Sequence, residues 1–197
     1  MGLFKPKYTK ISDEELMQMA SKGDGSAFSE LYDRYAKKLL NYFYTRLWKD
    51  REKAEDLVQD IFAKIVHKPE LFDSSRVFKT WVYSVANNMC KNEYRKHSVR
   101  DNVHSAEETG FNVAINEKSA DEVLYESDFN EALNDALSNI DDKHSEVFVL
   151  RHFQDLSIKE IASILECNEG TVKSRLFNVT RRLAGELKVF NPLLNNT

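Results

Sequence analysis

The chain is poor in the residues that make loops, kinks and cross-links. Its 197 residues include only 2 cysteines, 3 prolines and 6 glycines. Cys90 and Cys167 are far apart and have no partner ligands at metal spacing, which excludes a disulfide framework and a thiolate metal site. Both read as small hydrophobes or inert thiols. The scarcity of glycine and proline, with few alternating β-branched runs, argues against a sheet and for an all-helical protein. No apolar run approaches the roughly 18 residues of a membrane span. The start Met1-Gly2-Leu3-Phe4-Lys5-Pro6 is not a signal peptide, and Pro6 stands where a myristoylation site wants Ser or Thr. These absences lead us to expect a cytoplasmic protein with no membrane contact of its own.

What is present is a globular composition, 42% apolar and 30% charged, at a length that suits one or two domains. The net charge of −4 does not suit a nucleic-acid binder, but its distribution does. From Arg76 to Arg100 there are six Lys/Arg against Glu93 alone; from Asp101 to Ala136 there are ten Asp/Glu against Lys118 alone. A basic segment followed by an acidic one predicts that nucleic acid is met at particular faces only.

Ser157 to Leu183 carries the strongest pattern. Ile158, Ile161, Ala162 and Leu165 recur at helical spacing, as do Val172, Leu176, Val179 and Leu183. The five residues Glu166 to Gly170 between them predict a tight turn, with Asn168 capping the second helix. That helix presents Thr171, Lys173, Ser174, Arg175, Asn178, Arg181 and Arg182 to solvent. The pattern predicts a helix-turn-helix whose second helix enters a major groove, against the bland alternative of a helical hairpin with a solvated face.

Upstream, Ser12 and Glu15 form a capping-box pattern, and a helix carrying Leu16, Met17 and Ala20 stops near Gly23. A longer helix runs from Ser26 to about Trp48, its aromatics read as core. The next, Ala54 to Val66, buries Leu57, Val58, Ile61, Phe62, Ile65 and Val66, leaving Asp56, Gln59, Asp60 and Ala63 on the opposite side. Pro69 ends it. Residues 70–77 read as a loop, and 78–97 as a helix with Phe78, Val82, Val85 and Met89 inward. Thr80, Ser84, Asn87, Asn88, Lys91, Asn92 and Arg95 face outward, with Tyr83 and Tyr94 at the margins. Residues 98–127 read as a flexible linker with a short helical piece near 119–125, and regular structure resumes at Asp128.

Two constellations invite function. Asp56 and Asp60, one turn apart beside Gln59, lack the further ligands a metal or acid–base site collects; a solvated face is the bland reading and a docking surface for a basic partner the functional one. Loop 70–77 with the following helix mixes Arg76, Lys79, Lys91, Arg95 and Lys96 with Phe72, Phe78, Trp81, Tyr83 and Tyr94, and with the amides Asn87, Asn88 and Asn92. Cations for phosphates, aromatics for unpaired bases and amides for base edges suit single-stranded DNA better than duplex.

Three blocks in order resemble the extracytoplasmic-function (ECF) group of sigma-70 factors. AEDLVQDIF (54–62) is similar to the helix that grips the clamp of RNA polymerase. FKTWVYSVANN (78–88), leading to Arg95, resembles the −10 reading helix. LSIKEIA (156–162) with EGTVKSRL (169–176) resembles the −35 reading helix-turn-helix.

The resemblance implies an all-α protein of two small helical domains: a tail 1–10, a region 2-like domain 11–100, an acidic linker 101–127, a region 4-like domain 128–188 and a tail 189–197. It implies an initiation subunit with no enzymatic chemistry, no cofactor and no metal. Its partners would be core RNA polymerase, promoter DNA (duplex at −35, single-stranded at −10) and an anti-sigma factor. Asp56, Gln59 and Asp60 would dock on the polymerase. Asp73, Ser74, Arg76, Lys79, Trp81, Tyr83, Asn87, Asn88, Lys91 and Arg95 would hold the opened −10 strand. Thr171, Lys173, Ser174, Arg175, Phe177, Asn178, Arg181 and Arg182 would read −35.

Some positions depart from the family's habit: Asn87 and Asn178 stand where Arg is common, Asn92 where Asp is, and Thr180 where Arg often is. The competing reading is a helix-turn-helix regulator that binds duplex DNA without acting as a sigma subunit. The α/β pattern of a phosphoacceptor domain, which one such regulator would need, is absent.

Overall fold

The computed structural model describes residues 8–101 and 120–190. The chain divides into two compact units, residues 1–106 with the short segment Ser163–Glu166, and the remainder. Among the described residues both units are built from helices, without strands.

The first unit holds α1 (Asp13–Ser21), α2 (Gly25–Arg46), α3 (Arg51–His67), a 3-10 turn (Pro69–Leu71) and α4 (Phe78–Asp101). Each of the first three helices starts at a side-chain cap. Ser12 and Glu15 satisfy one another's backbone N–H groups in the expected box. Asp24 accepts from the N–H groups of Ser26 and Ala27 at 2.9 and 3.0 Å, and Asp50 accepts from that of Lys53 at 2.9 Å. Such caps satisfy donors that the helix itself leaves open.

The corner between α2 and α3 is made by Trp48 and Lys49, both left-handed (φ 52° and 60°). Trp48 therefore leaves the helix and lies exposed, stacked on His97. Inside, Leu16, Leu31, Leu39, Phe43, Ile61 and Phe78 are fully buried.

The tail expected over 1–10 is tied down where it is described. The Tyr8 hydroxyl donates to Asp24 at 3.1 Å, and Arg34 donates to the Tyr8 carbonyl at 2.9 Å. Residues 1–7 lie outside the described residues.

Several expectations need correction. Val66 is 53% exposed, because the buried stripe of α3 drifts away from it after Ile65, which is 1% exposed. Tyr83 and Asn87 are buried, at 0% and 1%. Helix α4 is packed by α1, α2 and α3, so its inward face is wider than a single stripe and takes in Tyr83, Ala86 and Cys90. Tyr32 is exposed, though its ring lies 4.7 Å from that of Phe62.

The second unit contains α5 (Ala120–Ser138), α6 (Asp142–Phe148), a π-helical turn (Val149–Phe153), α7 (Ile158–Leu165), α8 (Glu169–Glu186) and a 3-10 turn (Lys188–Phe190). The short helical piece and the helix at Asp128 are thus one continuous α5; residues 102–119 of the expected linker lie outside the described residues. Both α5 and α6 pack against α8, burying Leu133, Leu137, Val147, Leu150, Val179 and Leu183. Phe190 closes on Phe129, centroids 5.6 Å apart, so order continues past the expected boundary at 188. Residues 191–197 lie outside the described residues.

The neighbouring pair in α3 gives a stability test. Ile65→Ala should cost about 2–5 kcal/mol, and Val66→Ala less than about 0.5 kcal/mol, in urea denaturation of the full chain. Equal losses would mean that the face of α3 is misassigned.

Candidate protein and nucleic-acid interfaces

Three surfaces emerge from these helices. The first is the solvent face of α3. Asp56, Gln59 and Asp60 are all exposed, and none has a hydrogen-bond or ion-pair partner among the described residues. On the flank Arg51 and Glu55 neutralise each other at 2.8 Å. Two unpaired carboxylates one turn apart repel mildly in the free chain, and a cationic partner converts that repulsion into attraction. Among the described residues no three His, Cys, Asp or Glu side chains are grouped to hold a metal ion.

The second surface is the loop between α3 and α4 with the exposed side of α4. Phe72 is buried and packs its ring on those of Phe78 and Trp81, at 5.5 and 5.3 Å. Trp81 is half-buried, and its indole N–H donates to the Leu71 carbonyl at 3.1 Å. The residue is therefore both core and anchor of the loop. Beyond Phe72 the chain turns outward.

Asp73 accepts from the Ser75 backbone N–H at 2.9 Å and from its hydroxyl at 2.8 Å. Chiefly that backbone bond, with the hydroxyl and Arg76, holds the Asp73 carboxyl below its usual range. The turn is thus supported above the carboxylate's ordinary range and loses this bond as pH falls through the lowered value. Asp73, Ser74 and Arg76 are exposed, as are Asn88 and Arg95 on α4, while Lys79 and Lys91 are half-buried. Arg95 donates to Asn92 at 3.3 Å. Tyr83 does not join this surface: it packs edge-on against Tyr42 at 5.6 Å, and burial raises its hydroxyl pKa.

The third surface is α8. Asn168 accepts from the backbone N–H and the hydroxyl of Thr171, at 2.8 and 3.0 Å. Glu166 makes the turn before it in the left-handed region, at φ 54°. A Cβ on Gly170 would come within 3.2 Å of the capping oxygen of Asn168, so glycine keeps the cap uncrowded. α7 carries a capping box that the sequence reading missed although S-x-x-E signals it: Ser157 and Glu160 satisfy each other's backbone N–H groups at 3.2 and 2.8 Å.

From α8 project Lys173, Ser174, Phe177, Asn178 and Arg181, all exposed, with Thr171 and Arg175 half-buried. Phe177 is 66% exposed, an unusual place for a phenyl ring unless something covers it. Arg182 is engaged internally. It donates to the Asn139 carbonyl at 2.7 Å and pairs with Glu186 at 2.9 Å, tying the end of α5 to α8.

An unpaired acidic face, an aromatic-anchored loop ahead of α4 and a capped helix with exposed cations in a second unit are the arrangement expected of a promoter-binding protein. Comparison with known proteins agrees. Residues 31–100 match sigma-70 region 2, and residues 130–183 match sigma-70 region 4. The ECF sigma factor SigW of Bacillus subtilis is 30% identical, over 87% of this chain and 95% of its own. BldN of Streptomyces coelicolor is 30% identical over 86% of this chain, which spans 64% of that longer relative. In the fold, the sigma factor RpoE of Bartonella quintana, solved with the anti-sigma factor NepR, matches with a TM-score of 0.66 at 23% identity, over 82% of this chain and 97% of that one.

The chain belongs to the ECF group of the sigma-70 family. It functions as an ECF sigma factor, a subunit of transcription initiation that binds core RNA polymerase and promoter DNA. No described helix is long and apolar enough to cross a membrane.

The cap that begins the recognition helix should be measurable. Asn168→Ala should lower stability by about 1 kcal/mol in thermal or urea unfolding, with Asn168→Asp close to wild type. An alanine variant of unchanged stability would remove the cap from this account.

Proposed function

We propose the following division of labour among the three surfaces. The α3 face, Asp56, Gln59 and Asp60, docks on core RNA polymerase. Loop 70–77 receives a −10 base turned out of the stack, with Asp73, Ser74 and Arg76 at its rim and Trp81 beneath. Lys79, Asn88, Lys91 and Arg95 then run the opened strand along α4. Flipping costs a few kcal/mol per base, offset by stacking and by hydrogen bonds in the loop. Tyr83 is left out because its ring is packed inside the first unit.

In the second unit Thr171, Lys173, Ser174, Arg175, Phe177, Asn178 and Arg181 face the −35 major groove, and Arg182 braces the helix that presents them. The working domains are residues 11–100 and 128–188, joined by the acidic segment 101–127. The protein does no chemistry of its own and acts in the cytoplasm, where polymerase and promoters meet.

The observation that carries this reading is the match of residues 31–100 and 130–183 to two sigma regions in order along the chain. A regulator that binds only duplex DNA leaves the unpaired acidic face of α3 without a task. The RpoE relative was solved with an anti-sigma factor, and a similar partner would cover the α3 and α4 surfaces here.

Two substitutions test the assignments separately. Asp60→Lys reverses a charge on the docking face and should weaken binding to core enzyme about tenfold or more with the fold intact by circular dichroism; unchanged affinity would remove the docking assignment. Arg175→Ala should cost about 1–3 kcal/mol of holoenzyme affinity for promoter duplex while core binding stays as in wild type. If promoter affinity is unaltered, the readout lies elsewhere.

A further inference from the structure

Helix α4 begins without a cap of its own. The residue before it is Val77, which has no side-chain oxygen, and the first N–H group, that of Phe78, follows a loop that turns outward at Asp73. The missing acceptor comes from the other end of the domain. Glu14, in the first turn of α1, accepts a hydrogen bond from the Phe78 N–H through Oε1 at 2.8 Å.

Local chemistry explains why Glu14 is free to do this. Glu15 takes the capping-box role, returning its carboxylate to Ser12. The next-door Glu14 then projects about 100° around the helix and reaches α4. Its helix is held to α2 by the adjacent Asp13, which pairs with Arg34 at 2.6 Å and accepts from the Tyr35 hydroxyl. Tyr35 in turn packs its ring on Phe78 at 5.2 Å.

The loop of residues 70–77 is therefore pinned at both ends. Trp81 holds the Leu71 carbonyl at its start, and Glu14 holds the Phe78 N–H at its finish. A charged acceptor on an open helix N-terminus is one of the stronger single hydrogen bonds a fold can make. Between the two pins, Asp73, Ser74, Ser75, Arg76 and Val77 stand in solvent.

We infer that Glu14 is a positioning residue for the −10 strand: by capping α4 from α1 it fixes where loop 70–77 presents its rim. Glu14 lies outside the residues that match sigma-70 region 2, 31–100. The inference rests on the reading of loop 70–77 as the −10 pocket, and the experiment separates the two.

The full-length chain is assembled with its core RNA polymerase. The probe is a fluorescent single-stranded oligonucleotide carrying the non-template −10 sequence of a promoter selected by the wild-type holoenzyme from a randomised pool. Glu14→Ala should weaken oligonucleotide binding about tenfold while affinity for core enzyme stays within about twofold. Glu14→Gln, which keeps the acceptor oxygen, should restore most of the binding.

The double change Asp73→Ala with Arg76→Ala reports on the loop itself. If that double variant loses the oligonucleotide and Glu14→Ala does not, the positioning role is wrong and the pocket stands. If neither loses it, the pocket reading fails and takes the inference with it. If Glu14→Ala weakens core binding as much as DNA binding, or Glu14→Gln fails to rescue, Glu14 merely supports the fold and the inference is overturned.

Discussion

Phe78 is the residue on which the first domain turns. It is the first residue of α4, it is fully buried, and three aromatic rings, those of Tyr35, Phe72 and Trp81, lie within 5.6 Å of its own. Tyr35 belongs to α2, Phe72 to the loop and Trp81 to the next turn of α4. One packed cluster thus joins the helical core to a segment that must stay exposed. Burial of aromatic surface supplies the energy, and edge-to-face geometry fixes the angles. A loop made only of Asp73, Ser74, Ser75 and Arg76 would have no such reason to hold a shape.

Rigid presentation matters because the chain is a weak nucleic-acid binder by charge. With a net charge of −4 it gains little from counterion release over its whole surface. Its cations are spread over several helices, α4 and α8 among them, and several have internal work. Arg34 braces α1, Arg182 braces α5, and Lys53 and Lys96 both pair with Glu93, at 3.3 and 2.6 Å. The remaining exposed cations select and orient more than they attract. The docking role proposed for the acidic face of α3 fits this economy, since the polymerase would then bring the DNA and the sigma factor the discrimination.

Much of this was legible in the sequence, and the failures have physical causes. The capping residues Ser12 and Asn168 announced their helices, because a cap depends on a few neighbouring residues. The exposed side of α3 was legible because one stripe of that helix is buried. The face of α4 was less so. Three helices pack on it, so its buried arc admits Tyr83, which a one-stripe reading places at the margin. The bracing bond of Arg182 was not legible because its partner Asn139 offers a backbone carbonyl, invisible to any pattern of side chains. Glu14 was unreadable for the same reason, since what it caps is a backbone N–H 64 residues away.

The central claim is that this chain directs transcription starts, and it is tested most directly by adding the purified protein to core RNA polymerase and mapping transcripts from a library of linear promoter fragments. The account predicts defined starts that depend on the protein and on a shared pair of −35 and −10 elements. Tight duplex binding by the isolated protein, with no start directed on any fragment, would contradict it and return the chain to the class of duplex-binding regulators.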